Sequence, residues 1–217
     1  NNPINGIINC AKILVNRCKG HEKEKEICEM IMGEGKRIAN IVQALLSFAR
    51  ERKENKGPIH IDRVMVDALT LTAAHMRKDG IKFTVDLPDH LPVLIGHHQQ
   101  IQQVFLNIIN NAQYALNQKY PKEDENKSLS ISAETLSINK KTFVRITFLD
   151  KGIGIPSNAL DKAKNPFFST KPPDKGTGLG LSISHGIIAD HGGRLSIESK
   201  EGEYTRVIID LPVGEGK

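Results

Sequence analysis

The sequence predicts an α+β protein. A helical hairpin that joins a second copy in a dimeric four-helix bundle is followed by an α/β sandwich, a mixed sheet with helices on one face. Three observations predict this. Apolar residues recur at helical spacing through the first 54 residues. A charged stretch from Glu51 to Pro58 then interrupts the pattern and ends in Gly57-Pro58, which reads as a linker. Beyond it, short alternating strands and amphipathic helices follow one another closely, as in a mixed sheet covered on one face. The domains are accordingly drawn as residues 1–56 and 57–217.

The hairpin comes first. Ile4, Ile7, Ile8, Ala11 and Leu14 mark one buried stripe of a helix from Pro3 to Cys18, with Pro3 in the first turn, where it is tolerated. Lys19-Gly20-His21 is the expected turn, Gly20 stopping the helix. A second helix runs from Glu22 to about Glu54 on Ile27, Met30, Ile31, Ile38, Ile41, Val42, Leu45, Leu46 and Ala49. The second helix is roughly twice as long as the first, and antiparallel partners of unequal length leave part of a stripe uncovered. Two helices alone bury too little to be stable, which points to a homodimer.

The second part is expected to open with a strand at Ile59 to Ile61 and a helix from Asp62 to about Lys78. Strands at Ile81 to Leu87 and near Val93 precede a long helix from Gln99 to about Gln118. Further strands are expected at Leu129 to Leu136, Phe143 to Leu149, Arg194 to Ser199 and Thr205 to Leu211, the last three apolar at every second place. A helix from about Gly178 to Asp190 precedes the final pair.

Composition narrows the function classes. With 39% hydrophobic and 25% charged residues, the 217-residue chain is that of a soluble globular protein. No apolar run reaches membrane-helix length. The net charge of +5 is scattered, with no basic run interleaved with aromatics, so neither nucleic-acid binding nor membrane contact is expected. Cys10, Cys18 and Cys28 lack metal-site spacing, and their odd number suits a reducing, cytoplasmic setting. The first residue is Asn rather than Met, and the chain reads as a fragment of a longer one.

Chemistry concentrates between Asp150 and Leu181. Asp150 stands at a strand end ahead of Gly152 and Gly154; Pro166-Phe-Phe-Ser-Thr-Lys171 follows, then Gly176-Thr-Gly-Leu-Gly180 at a helix start. Such glycines let backbone approach a ligand, and the N–H groups opening a helix face an anion. Upstream, Asn107 and Asn111 stand four apart on one face of an otherwise apolar helix. Amides so placed either cap a neighbouring loop or offer an oxygen to Mg²⁺, a hard cation that favours oxygen ligands.

Taken together, these segments resemble the sensor histidine kinases of two-component signalling, whose ATP domain is shared with the gyrase and chaperone ATPases. Asn107 to Ala112 resembles the N box and Asp150-x-Gly152-x-Gly154 the G1 box. Pro166 to Lys171 resembles the F box with its lid lysine, and Gly176 to Gly180 the G2 box. Four motifs in the family's order are far more specific than any one alone. The resemblance implies ATP and Mg²⁺ as cofactors, with Asn111 the metal ligand and Asn107 its polar support. ATP-binding residues are implied at Asn107, Asn111, Asp150, Gly152, Gly154, Lys171, Gly176, Thr177, Gly178, Leu179, Gly180 and Thr205. Asp150 would accept from the adenine amine and reject the guanine carbonyl. Lys171 would act on the outer phosphates.

Transfer rather than hydrolysis is expected. The related hydrolytic ATPases carry a Glu one turn before the Mg²⁺ ligand; here that residue is Asn107, which cannot serve as a base. The nucleophile implied by the resemblance is a His imidazole. The family hairpin often reads His-Glu-x-Asn-Asn-Pro, so Asn1-Asn2-Pro3 would put that His three positions before Asn1. None of the eight histidines present stands in that context. Asn2 matches the position from which the family orients water to dephosphorylate a response regulator. The implied partners are a second copy and the receiver domain of a cognate response regulator, with any membrane anchor carried by the parent protein. The competing reading is a non-catalytic ATP-binding scaffold or sensor module.

Overall fold

The computed structural model describes residues 2–17, 21–51, 56–163, 165–172 and 176–214, with side chains left out at helical positions 2, 3, 36, 37, 40, 41 and 43–51. The expected turn at Lys19-Gly20, Cys18 and most of the charged linker lie outside these residues. The chain forms two compact units: Asn1–Lys53 with Phe167–Leu179, and Glu54–Pro166 with Gly180–Lys217.

In the first unit, α1 (Asn2–Arg17) and α2 (Glu22–Glu51) pack side by side as the expected hairpin. The helices approach closely where a Cβ on Gly35 would come within 2.7 Å of Ile8 Cγ1. Burial of the stripe differs from expectation. Only Ala11 of the α1 stripe is buried; Ile7 and Leu14 are exposed, as are Ile27, Met30, Ile31 and Ile38 on α2. A pair of helices can cover one narrow seam, and the remaining apolar surface has no partner within the described residues of this unit.

The second unit begins with β1 (Gly57–Ile59) and α3 (Ile61–Lys78). β1 therefore includes Gly57-Pro58, expected in the linker, and ends two residues earlier than the expected strand. Proline is admitted because β1 pairs with one strand only, β3 (Leu94–Gly96), in a separate two-stranded antiparallel sheet. The main sheet is built from β2 (Lys82–Asp86), β4 (Ser128–Ile138), β5 (Lys141–Asp150), β6 (Arg194–Lys200) and β7 (Tyr204–Pro212). Its order is β2-β4-β5-β7-β6, with β2–β4 parallel and the other pairs antiparallel.

Strand parity puts one face of this sheet against the helices. Val144, Ile146 and Phe148 on β5 and Val207, Ile209 and Leu211 on β7 are buried at alternate positions. Facing them is α4 (His98–Lys119), whose Val104, Phe105, Ile108, Ile109 and Leu116 form the centre of the core. Phe105 meets Phe148 edge to face at 5.4 Å. After the short α5 (Ser157–Leu160) comes α6 (Gly180–Asp190), and α3 and α6 both pack against α4. This is the expected mixed sheet with helices on one face; α6 starts at Gly180 rather than near Gly178.

Candidate functional site

The same parity that builds the core carries Asp150 inward. Val144, Ile146 and Phe148 alternate onto the helix face, and the next position in that series is a carboxylate, 6% exposed, on the last residue of β5. Thr205, directly opposite on β7, opens that strand's buried series and is also buried. An acidic group and a hydroxyl thus stand side by side at one end of the core, where the strands stop.

The turn after Asp150 is shaped around that carboxylate. The Gly152 N–H donates to Asp150 Oδ1 at 2.9 Å. A Cβ on Gly152 would lie 2.6 Å from both Asp150 Oδ1 and Ala115 Cβ, so a side chain there would push the turn off α4. Gly154 has φ of +67°, and its missing side chain would strike the Lys200 carbonyl. Ile153 bridges both sides: its N–H donates to Ala115 O and its carbonyl accepts from the Gly202 N–H.

Two further residues hold this end together. Ser199 Oγ accepts from the Ile155 N–H at 2.8 Å, donates to Tyr204 O at 2.7 Å and lies 3.2 Å from Thr205 Oγ1. Lys119 Nζ, at the end of α4, donates to Lys151 O and Glu203 O. Burial pushes the Asp150 carboxyl up to about 7, although the Gly152 N–H and then the Lys119 charge pull it down. Ser199 and Lys119 escaped the sequence reading. Their signals were weak: a serine among strand residues, and a lysine in the last helical turn, where a cation is common anyway.

Asn107 and Asn111 lie one turn apart on α4, both half-buried. Asn107 Nδ2 donates to Gly180 O at 3.1 Å and to Ser184 Oγ at 3.2 Å, which ties α4 to the start of α6. Ser184 is fully buried and also went unnoticed in the sequence; a serine four residues after Gly180 is placed to bond back to its carbonyl, as it does at 2.8 Å. One turn before Asn107, the buried Gln103 Oε1 has no hydrogen-bond partner among the described residues. Gln103, Asn107 and Asn111 form a polar line on this helix.

Lys171, Gly176, Thr177, Gly178 and Leu179 fall in the same unit as the hairpin. Gly178 has φ of +68° and packs on the Phe167 backbone, and Phe167 itself has φ of +66° and is 62% exposed, so it is no core aromatic. Gly176 lies against Ser169 and Lys171; its Cβ would come 2.6 Å from Ser169 Oγ. The Leu179 N–H donates to Thr177 Oγ1, and Leu179 is buried. Burial lowers the Lys171 pKa below the usual lysine range. The side chain of Asn2 lies outside the described residues.

Asp150, Gly152, Gly154 and Thr205 are thus gathered at one end of the sheet, while Asn107 contacts Gly180. Among the described residues no cluster of three or more His, Cys, Asp and Glu could hold a metal ion, and no helix is long and apolar enough to cross a membrane.

Comparison with known proteins identifies a family. Residues 96–215 match the family described as Histidine kinase-, DNA gyrase B-, and HSP90-like ATPase. Sporulation kinase E of Bacillus subtilis (strain 168) is 31% identical over 184 residues, which cover 85% of this chain and 23% of that protein. Sensor histidine kinase ZraS of Escherichia coli (strain K12) is 28% identical over 214 residues, 98% of this chain and 43% of that one. The solved structure of histidine kinase ThkA in complex with response regulator protein TrrA superposes with a TM-score of 0.69 at 25% identity, covering 98% of this chain and 59% of that chain. The chain spans less than half the length of the two curated relatives.

Proposed function

The chain belongs to the histidine kinase-, DNA gyrase B- and HSP90-like ATPase family as a sensor histidine kinase ATP-binding domain, and from that premise we propose that it holds Mg-ATP for phosphoryl transfer to a histidine. That histidine lies in the parent kinase ahead of Asn1, and the phosphoryl group passes from it to a response-regulator aspartate. The observation that carries this reading is the buried carboxylate of Asp150 beside Thr205, with the Gly152 N–H already on one of its oxygens.

Ionised, Asp150 accepts a hydrogen bond from the adenine exocyclic amine; guanine offers a carbonyl oxygen there, leaving two acceptors face to face. Gly152 and Gly154 keep side chains out of the approach to the base, and Thr205 adds a hydroxyl next to it. Asn111 supplies an amide oxygen, the hard donor that Mg²⁺ favours. Asn107 fits the same role of support, since its amide nitrogen faces Gly180 O and Ser184 Oγ and its oxygen is turned away from them. When bound, Mg²⁺ would offset charge on the outer phosphates.

Lys171 is the proposed cation for those phosphates, and Gly176, Thr177, Gly178, Leu179 and Gly180 the backbone that lies along them. Transfer breaks the bond between the γ-phosphorus and the ADP oxygen as an imidazole nitrogen attacks, giving a phosphoramidate. Asn107 cannot take a proton from water, which favours transfer over hydrolysis. Asn2 is the proposed water-orienting residue for dephosphorylating the regulator.

The exposed apolar faces of α1 and α2 support a homodimer built on a four-helix bundle. ThkA is seen with its response regulator; by analogy, a receiver domain is the proposed partner here, in the cytoplasm. The domain boundary stays proposed at residue 56.

The test is transfer of radiolabel from γ-labelled ATP to the chain extended upstream of Asn1, beside an Asn111→Ala variant. Acid-labile label on the extended wild type, and none on the variant, is expected. No label on the extended chain despite tight ATP binding would replace this reading with a nucleotide-responsive scaffold.

A further inference from the structure

Three groups close a ring where α4 meets α6. Asn107 Nδ2 donates to Gly180 O at 3.1 Å and to Ser184 Oγ at 3.2 Å, and the Ser184 hydroxyl donates to Gly180 O at 2.8 Å. Ser184 is fully buried, so a partner lost at its hydroxyl is costly to replace.

The ring also decides which way the Asn107 amide faces. A carbonyl such as Gly180 O can only accept, so the group facing it must be the NH₂ of Asn107, and Oδ1 is turned to the other side. A carboxylate at position 107 would set oxygen against oxygen. The residue needed here is therefore a donor, and a Glu of the hydrolytic kind would open the ring instead of supplying a base.

We infer that Ser184 is a positioning residue: with Asn107 it fixes the first turn of α6, where the glycine loop passes into the helix, and it holds the Asn107 oxygen in its orientation. This rests on the proposed ATP reading, because it assigns the ring to the phosphate end of the nucleotide. Asp150, which would recognise the base, takes no part in it.

Ser184→Ala, Asn107→Ala and the double variant decide the matter in the full chain. Binding of Mg-ATP and of AMP is titrated, and amide hydrogen exchange is followed along α6. Ser184→Ala is expected to weaken Mg-ATP by about three- to tenfold, the usual effect of one lost hydrogen bond, with AMP affinity changed less than about twofold. On the Asn107→Ala background it should cost less than it does alone, since only the Ser184 bond to Gly180 O is then left to lose. Exchange in the first turn of α6 should rise in Ser184→Ala. Equal weakening of AMP and ATP, additive effects of the two substitutions, or unchanged exchange in α6 would overturn the assignment. Should the wild type fail to bind Mg-ATP, the ATP reading falls, and the exchange measurement alone still decides whether the ring holds the helix.

Discussion

The two compact units treat their apolar residues in opposite ways. In the α/β unit, Phe105, Ile109, Leu116, Ile146 and Phe148 are at most 1% exposed, closed between one sheet face and three helices. In the hairpin, Ile7, Leu14, Ile27, Met30, Ile31 and Ile38 are each more than 40% exposed. A sheet gives three helices a common floor and so completes a core within one chain. Two helices side by side have only a seam, and the surface left over is what a second copy would cover. Recognition of the base is correspondingly proposed for the self-sufficient unit, and assembly for the one with surface to spare.

The contrast breaks most visibly if the closed core is opened. Phe105→Ala removes a fully buried ring from contact with Phe148, and is expected to cost about 3–5 kcal/mol. Urea denaturation would read this as a lower midpoint; a loss below 1 kcal/mol would mean that the core is not closed around that residue.

Asp150→Asn separates fold from function inside the same unit. The Asp150 carboxyl is raised to about 7 in the folded chain from an ordinary 3.8. A group raised on folding contributes stability that is fully present below pH 3.8 and lost as pH rises through about 7. Asparagine, which can still accept from the Gly152 N–H, should therefore stabilise the chain at pH 8 by up to about 4 kcal/mol, with the gain gone by pH 4. Its amide cannot replace the carboxylate toward both adenine and Gly152, so ATP affinity should fall. Thermal unfolding at the two pH values checks the sign; a variant less stable than wild type at pH 8 contradicts it.

The hairpin should respond least in stability and most in assembly. Ile31→Glu alters an exposed site and is expected to change unfolding free energy by no more than about 0.5 kcal/mol. By sedimentation, however, it should convert a dimer into a monomer. A wild-type chain already monomeric at high concentration would remove the reason for the comparison.

These contrasts bear on how much was legible in the sequence. The period-2 runs of β5 and β7 and the position of Asp150 at a strand end were legible, and residue count then carries the series Val144, Ile146, Phe148 on to Asp150. The apolar spacing of α4 likewise put Asn107 and Asn111 on one face. What stayed hidden depends on partners distant in sequence. Nothing local tells that Gly57-Pro58 pairs with β3, that Lys119 reaches two carbonyls across the turn after β5, or that Ser184 closes a ring with Asn107. The positive φ of Phe167, at a residue type that rarely adopts it, similarly has no signal in the neighbouring sequence. The stripe on α1 was read correctly as apolar and wrongly as buried, since helical period identifies a face without saying what covers it.

The most direct measurement is calorimetric titration of the chain with ATP and with GTP, each with Mg²⁺ and with the metal chelated. Asp150 predicts binding of ATP and at least tenfold weaker binding of GTP, and Asn111 predicts that chelation weakens ATP. Equal affinity for the two nucleotides, or no binding of either, would contradict the assignment of Asp150 as the group that selects adenine.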